Sequence, residues 1–390
     1  MPRKTIALTF LLAAALCLGV GAAPCAALAA EDYGARPDSP AQPRSSFVIL
    51  PYAYYSPETK VAFGAGSIYS FRSGCAPAAG SAGADPAGAI PGGRPSSIRI
   101  AATYTQLKQI VLAFLPELYL RNERYYYTGF YGYYRFPDKF WGAGGDTPDS
   151  AEERYRSNDF ESSTSVQMRI APGLYLGPLY EYQYLSVDET DASGALRAGA
   201  IPGSRGGSAS GLGVIVQHDT RDNTYQPASG FYNQLSAVSF GGSIGSEYTF
   251  ERLTVDLRMY RRGLLRSHVI ALQTYDVFIS GEAPFQMLAL LGGSYCMRGF
   301  YLGRYRDRTM ITAQVEYRFP IVWRLGAAAF AGAGDARGDL HEFGVDRLKY
   351  SGGFGLRFMF DARERINARL DFGFASGGNA GIYAMVLEAF

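Results

Sequence analysis

Hydrophobic and polar residues alternate with a period of two over long parts of the chain, most cleanly between residues 311 and 319. The apolar set there is Ile311, Ala313, Val315, Tyr317 and Phe319, and the polar set is Thr312, Gln314, Glu316 and Arg318. Successive side chains of a β-strand point to opposite faces, so this stretch predicts a strand with one apolar and one polar face. Residues 252–259 and 365–372 show the same segregation. An Arg or Lys that faces lipid at the bilayer midplane costs about 2–4 kcal/mol, so the pattern favours strands with a lipid face and a wet face.

The spacing of such segments predicts sixteen strands. They cover residues 47–55, 60–72, 97–106, 110–119, 124–135, 161–171, 178–187, 209–219, 230–240, 248–261, 267–279, 309–319, 326–334, 350–360, 365–374 and 381–390. A bilayer crossing needs roughly 9–11 residues of tilted strand, and an even number of strands is typical of bacterial barrels. We therefore predict an all-β fold, a closed antiparallel transmembrane β-barrel. A soluble β-sandwich is the alternative, but it would need shorter strands and more evenly spaced turns.

The N-terminus has the parts of a secretory signal. Two basic residues precede an apolar run that ends near Val20, and small residues follow up to Ala29. We predict a cleaved signal peptide over 1–29, a short disordered leader over 30–45 and an outer-membrane barrel over 46–390. A membrane-anchoring helix is the alternative, but the run is short and ends in a cleavable Ala-x-Ala pattern. The expected location is the outer membrane of a Gram-negative cell.

The parity of the strands predicts which loops share a side of that membrane. With the first strand rising from the periplasm, the long outer loops are 136–160, 188–208, 280–308 and 335–349. Most turns at the periplasmic end are short. The exception is 73–96, which is rich in Ala, Gly and Pro and is expected to be mobile.

Composition supports the barrel and argues against several other classes of protein. The 29 Tyr and 24 Phe suit aromatic girdles at both membrane interfaces, and the 47 Gly suit turns. A formal net charge of +2 gives no reason to expect nucleic acid as a partner. His218, His268 and His341 are scattered, so we predict no enzyme, no metal and no cofactor. Beyond the predicted signal only Cys75 and Cys296 remain, too few for a disulfide framework.

The most specific motif lies between predicted strands eleven and twelve. Residues 292–300 read Gly-Gly-Ser-Tyr-Cys-Met-Arg-Gly-Phe. This stretch resembles the sixth-loop signature of the BamA/TamA family, the bacterial surface antigen barrels of bacterial outer membranes. The resemblance implies a loop that folds back into the barrel, where its arginine meets acidic side chains. Shorter segments at 219–230, 316–320, 352–357 and 370–373 resemble the family in the same order.

The resemblance assigns roles to four residues. Arg298, Gly299 and Phe300 would form a loop-lock motif, and Glu316, on the polar face of the next strand, would be the partner of Arg298. Many members have Phe-x-Asp-x-Gly on the thirteenth strand, whereas this chain has Gly332 in place of the aspartate. That departure leaves Glu316 as the better candidate. The alternative partners are Asp256, Asp335 and Asp371.

The resemblance also implies a role in inserting or moving proteins or lipids, through a lateral seam between the first and last strands or through a plugged lumen. The leader is too short for the periplasmic POTRA modules of many members, so the chain resembles those that lack them. Expected partners are outer-membrane lipids, client outer-membrane proteins and a second copy in a homodimer. The alternatives are a diffusion pore for small solutes and a dimerising membrane platform.

Overall fold

A computed structural model describes residues 45–56, 58–72, 94–263, 265, 267–362 and 364–390. The predicted signal peptide lies outside the described residues, as do most of the predicted leader and most of the predicted 73–96 turn, with Cys75. No helix in the described part of the chain is long and apolar enough to cross a membrane.

The described chain is dominated by a single antiparallel sheet of sixteen strands, in which sequence neighbours are also sheet neighbours. Its strands are β1 (Ser45–Ser56), β2 (Lys60–Phe71), β3 (Ser96–Thr105), β4 (Ile110–Leu120), β5 (Tyr125–Phe140), β6 (Glu153–Ala171), β7 (Leu174–Thr190), β8 (Gly207–Asp219), β9 (Gly230–Phe240), β10 (Phe250–Arg262), β11 (Val269–Gly281), β14 (Thr309–Val322), β15 (Leu325–Arg337), β16 (Lys349–Asp361), β17 (Ile366–Ala375) and β18 (Asn379–Val386). Two short strands, β12 (Ala289–Leu291) and β13 (Tyr305–Asp307), form a separate hairpin in the loop between β11 and β14. The prediction of an all-β chain is confirmed.

The burial pattern of the strands is the reverse of that in a soluble sheet. In β14 the polar side chains Thr312, Glu316 and Arg318 are buried, whereas Val315 and Tyr317 are each 38% exposed. The polar row faces the space that the loops fill, and the apolar row faces outward. This arrangement is what lipid on one side and a polar interior on the other require.

The two edges of the sheet, β1 and β18, lie side by side. Among the described residues, however, no backbone pairing joins them, although every other pair of neighbouring strands in the sheet is paired. The line between β1 and β18 is called the seam below.

Several strands are longer than the sequence predicted, and β6 and β7 exceed the prediction most. β5, β6 and β7 extend past the predicted ends, so the outer loop predicted at 136–160 is confined to 141–152. Polar cross-strand contacts support the extensions, such as the ion pair of Arg156 with Glu189 at 2.5 Å. The prediction ended strands where the apolar band ends, but backbone pairing continues beyond it.

The predicted last strand, 381–390, is wrong at its C-terminal end. β18 ends at Val386, and Leu387 has a φ of +71° that turns the following residues inward. Glu388 accepts a hydrogen bond from Arg357 Nε at 2.8 Å, and Phe390 packs in a buried cluster with Tyr260. After Val386, a buried ion pair and a buried aromatic ring therefore take the place of further backbone pairing between β18 and β17.

Candidate functional site

The loop between β11 and β14 carries the predicted motif and lies against the buried face of the sheet. Gly299 has a φ of +118°, and a Cβ on it would lie 2.8 Å from the carbonyl carbon of Phe374 in β17. A Cβ on Gly373 would in turn lie 2.7 Å from the carbonyl carbon of Arg298. The loop backbone can approach β17 this closely because both positions lack a side chain.

Arg298 is almost fully buried and binds two carboxylates. Its Nη2 donates to Glu316 Oε2 at 2.6 Å, and its Nη1 donates to Asp371 Oδ2 at 2.6 Å. The guanidinium carbon lies 3.5 Å from the centre of the Phe330 ring. The structure thus brings the predicted pair Arg298 and Glu316 together, and it adds Asp371, which the sequence had placed only among the alternatives.

These three residues belong to a larger buried network, called here the inner ion cluster. Its members are the arginines Arg298, Arg318, Arg357 and Arg369 and the carboxylates Glu316, Asp371 and Glu388. Glu316 also accepts from Arg318 Nε at 2.7 Å, and Asp371 accepts from Arg369 at 2.5 Å. Arg318 Nη2 also donates to a main-chain oxygen of Phe390 at 2.7 Å, which gives the four arginines a partner besides the three side-chain carboxylates. Burying charges is costly unless each is compensated, so the balance of the cluster governs its stability.

Gly332 stands where the family resemblance led us to expect an aspartate, and the structure gives a steric reason for the glycine. A Cβ at position 332 would lie 3.1 Å from Met297 Sδ and 3.2 Å from the Cβ of Gln314. Met297 is fully buried, so the loop itself fills the space of that side chain. Asp371 supplies the second carboxylate for Arg298 from β17 instead.

Gly299 and Phe300 are held by the last strand. The backbone N–H of Gly299 donates to the hydroxyl of Tyr383 in β18 at 3.1 Å, and that hydroxyl donates to the carbonyl of Phe300 at 3.3 Å. The ring of Phe300 is completely buried and makes an edge contact with Tyr305. Sequence reasoning missed Tyr383, because its alternation in β18 indicates a face but not a partner.

The residues that follow the motif attach the loop to the first half of the chain. Tyr301 donates its hydroxyl proton to Asp138 Oδ1 at 2.7 Å, and the backbone N–H of Leu302 donates to Glu58 Oε1 at 3.0 Å. Burial raises the pKa of Glu58, which lies in the turn between β1 and β2. Arg304 binds Asp149 at 2.6 Å. The loop therefore contacts strands on both sides of the seam.

Asp335 does not take part in this site. It is buried, but its partners are Arg337 Nε at 2.7 Å and Lys349 Nζ at 3.2 Å. Asp256 pairs with Arg258 on its own strand. Within the described ranges, no group of three or more His, Cys, Asp or Glu side chains could hold a metal ion.

A second polar network lies at the opposite end of the sheet, where residues 220–229 join β8 to β9. This segment is called the 220–229 strap. Asn223 Nδ2 donates to the carbonyl of Glu364 at 3.3 Å, and the Tyr225 hydroxyl lies 3.5 Å from Ser70 Oγ. Arg72, just after β2, pairs with Glu364 at 3.2 Å. The strap thus crosses from β8 and β9 to the strands on either side of the seam.

The base of the strap is a buried charge cluster. Asp219, the last residue of β8, accepts hydrogen bonds from Arg94 and from Arg221, the latter at 2.9 Å. Asp222 Oδ1 accepts from the backbone N–H of Ala228 at 2.8 Å, which caps the turn. These contacts fix the direction in which the strap leaves β8.

Comparison with known proteins identifies the family. The sequence profile described as the Omp85 superfamily domain matches residues 92–375. No curated protein matches the chain. Among solved structures, it is similar to BamA from Haemophilus ducreyi lacking POTRA domains 1–3, with a TM-score of 0.56 and 13% identity over 88% of this chain and 70% of that one.

It is also similar to CdiB from Acinetobacter baumannii, with a TM-score of 0.54 and 11% identity over 88% of this chain. The alignment spans 59% of the CdiB chain. Likeness at these identities concerns the fold, which agrees with the resemblance drawn from the 292–300 motif. The profile match covers most of the chain, and the chain belongs to the Omp85 superfamily.

Proposed function

We propose that this protein is a closed β-barrel of a Gram-negative outer membrane that inserts or translocates client proteins through its seam. Membership of the Omp85 superfamily and a fold similar to BamA and CdiB support this proposal. The outward apolar row and the buried polar row of the strands support placement in a membrane.

The seam is the observation that carries the proposal. Separating any two neighbouring strands elsewhere in the sheet breaks a ladder of backbone hydrogen bonds, each worth about 0.5–1.5 kcal/mol net. β1 and β18 are adjacent, but among the described residues no such ladder joins them. The seam is therefore where the barrel opens at the lowest cost, and its strand edges offer backbone groups to an incoming strand.

The loop motif is proposed to act as a lock on that opening. Tyr383 binds the loop from β18, and Asp371 binds Arg298 from β17. The strap and the Arg72–Glu364 pair hold the strands that flank the seam at the other end. In this proposal the loop fills the lumen, so solutes do not pass through the interior. The loop also holds the β17–β18 edge of the seam, and clients pass where that edge opens.

A reversible covalent bridge across the seam tests the proposal. Cysteines are introduced along β1, one at a time, with a partner cysteine at Ala384 in β18, in a chain without other cysteines. Pairs that form a disulfide are then reconstituted in liposomes with an unfolded outer-membrane protein. Insertion is read as protease protection of the client. We expect the oxidised seam to abolish insertion and a reductant to restore it.

The matched control is a disulfide between Ser236 in β9 and Thr254 in β10, which are directly paired in the sheet. That bridge should leave insertion unchanged because it joins strands that stay together. Full insertion by the oxidised seam variant would exclude the seam as the route. A large, steady conductance of the unmodified protein would instead favour a diffusion pore.

A further inference from the structure

One end of the sheet carries an excess of exposed positive charge. Because the strands are antiparallel and sequential, the turns after β4, β6, β8, β10, β14 and β16 all lie at this end. Among the residues that the structure describes, the exposed arginines there are Arg121, Arg124, Arg169, Arg261, Arg262 and Arg365. Together they form what is called here the basic rim. The acidic residues described at this end, such as Glu123, Asp222 and Glu364, are half-buried or buried.

The arginines of the rim are largely without acidic partners. Arg365 pairs with Asp222 at 3.4 Å. The other five make no ion pair with any residue that the structure describes. The opposite end differs, because exposed Asp and Glu residues outnumber exposed Lys and Arg residues in its loops. The chain has a net charge of only +2, so the rim reflects segregation of charge rather than an overall excess.

The rim lies where the outward apolar band stops. Arg121 directly follows Leu120, which is 41% exposed, and Arg169 directly precedes Ile170, which is 51% exposed. The guanidinium groups of Arg121 and Arg124 both lie within 6 Å of the Tyr125 ring centre. Aromatic rings and long basic side chains take this position at the boundary between hydrocarbon and lipid headgroups.

We propose that the basic rim binds the headgroups of anionic phospholipids. A guanidinium presents several N–H donors in a planar fork that matches the oxygens of a phosphate diester, and it remains charged at any physiological pH. Headgroups of the adjoining leaflet then supply the negative charge that the protein does not. The inference rests on the membrane placement in the proposed function, but it does not depend on the seam or on any client.

The test compares a rim variant with a control of equal charge. The rim variant carries Arg121→Gln, Arg124→Gln, Arg261→Gln and Arg262→Gln. The control replaces four exposed cations at the opposite end by glutamine, namely Lys108, Arg197, Arg308 and Arg347. Each protein is purified in neutral detergent micelles that contain equal amounts of phosphatidylglycerol and phosphatidylcholine. Native mass spectrometry then counts the lipids that stay bound.

The unmodified protein and the control should retain phosphatidylglycerol several-fold over phosphatidylcholine. In the rim variant that preference should fall, with about fivefold weaker binding for each arginine that contacts a headgroup. Equal retention of the two lipids by the unmodified protein would overturn the proposal, and so would an equal loss of preference in both variants. Inorganic phosphate or an acidic peptide could also be added in place of the lipid. If either stabilised the protein as much as phosphatidylglycerol does, the rim would be assigned to a different ligand. Client insertion is measured separately, so failure of either proposal leaves the other standing.

Discussion

Glu316→Ala should destabilise the protein more than Arg298→Ala, although the two side chains form the same ion pair. The inner ion cluster has four arginines and three carboxylates. Without Arg298, Glu316 still has Arg318 at 2.7 Å and Arg357 at 3.4 Å. Asp371 likewise keeps Arg357 and Arg369, each at 2.5 Å. Without Glu316, four arginines share two carboxylates. An unequal loss from the two halves of one pair is the signature of a cluster in which each carboxylate compensates several arginines.

The magnitudes follow from the contacts. Arg298→Ala removes two charge-assisted hydrogen bonds, each worth about 1.5–3 kcal/mol, but both carboxylates keep other arginine partners. We expect a net loss of about 1–2 kcal/mol in the free energy of unfolding. Glu316→Ala leaves buried charge uncompensated, which costs roughly 3–5 kcal/mol. The double variant keeps three arginines and two carboxylates, so it should be more stable than Glu316→Ala alone.

Urea unfolding in phospholipid vesicles measures these differences. Trp141 packs against Tyr301 at 5.4 Å between ring centres, so its fluorescence reports on the loop. Arg252→Ala is the control, because Arg252 pairs with Glu181 outside the inner ion cluster. Equal losses for Arg298→Ala and Glu316→Ala, or additive losses in the double variant, would refute the charge-balance argument.

Three further outcomes are expected. The thiol of Cys296 should be alkylated slowly at pH 8 until the protein unfolds, because burial raises its pKa to about 11. An alkylation rate like that of a free thiol would mean that the loop does not bury Cys296. Gly373→Ala should speed that alkylation, since the added Cβ pushes against the backbone of Arg298. Arg72→Glu should lower the urea midpoint of unfolding, and the added change Glu364→Arg should restore it. If the midpoint stayed low in the double variant, the ion pair would not contribute to stability.

Alternation predicted most of the fold because lipid and a polar interior impose opposite demands on the two faces of each strand. The strand positions followed from that rule together with the length that a bilayer crossing needs, and β11 was placed although its alternation is poor. It could not predict the length of β5 to β7, because pairing beyond the membrane depends on polar contacts between strands. It also missed the end of β18, since the inward turn at Leu387 depends on partners such as Arg357 that are distant in the sequence.

Only the part of the candidate site that lies close together in the sequence could be predicted. Glu316 lies on the polar face of the strand that directly follows the motif, so its proximity to Arg298 follows from the pattern and the family resemblance. Asp371 lies on a polar face as well, but it is 73 residues from Arg298, and the local sequence does not indicate that β17 contacts the loop. The contact of Tyr383 with Gly299 likewise joins distant parts of the chain and has no sequence signal.

The loop contacts also have a consequence for the order of folding. Arg298 lies 18 residues from Glu316 and 73 from Asp371, and Leu302 lies 244 residues from Glu58. Long separations slow contact formation because the chain loses more entropy before the contact stabilises it. The loop can complete its contacts only when the first hairpin and the last two strands are in place together. Arg298 therefore becomes fully buried only after β17 has formed, and the contact of Leu302 with Glu58 marks the stage at which the loop also reaches the first hairpin.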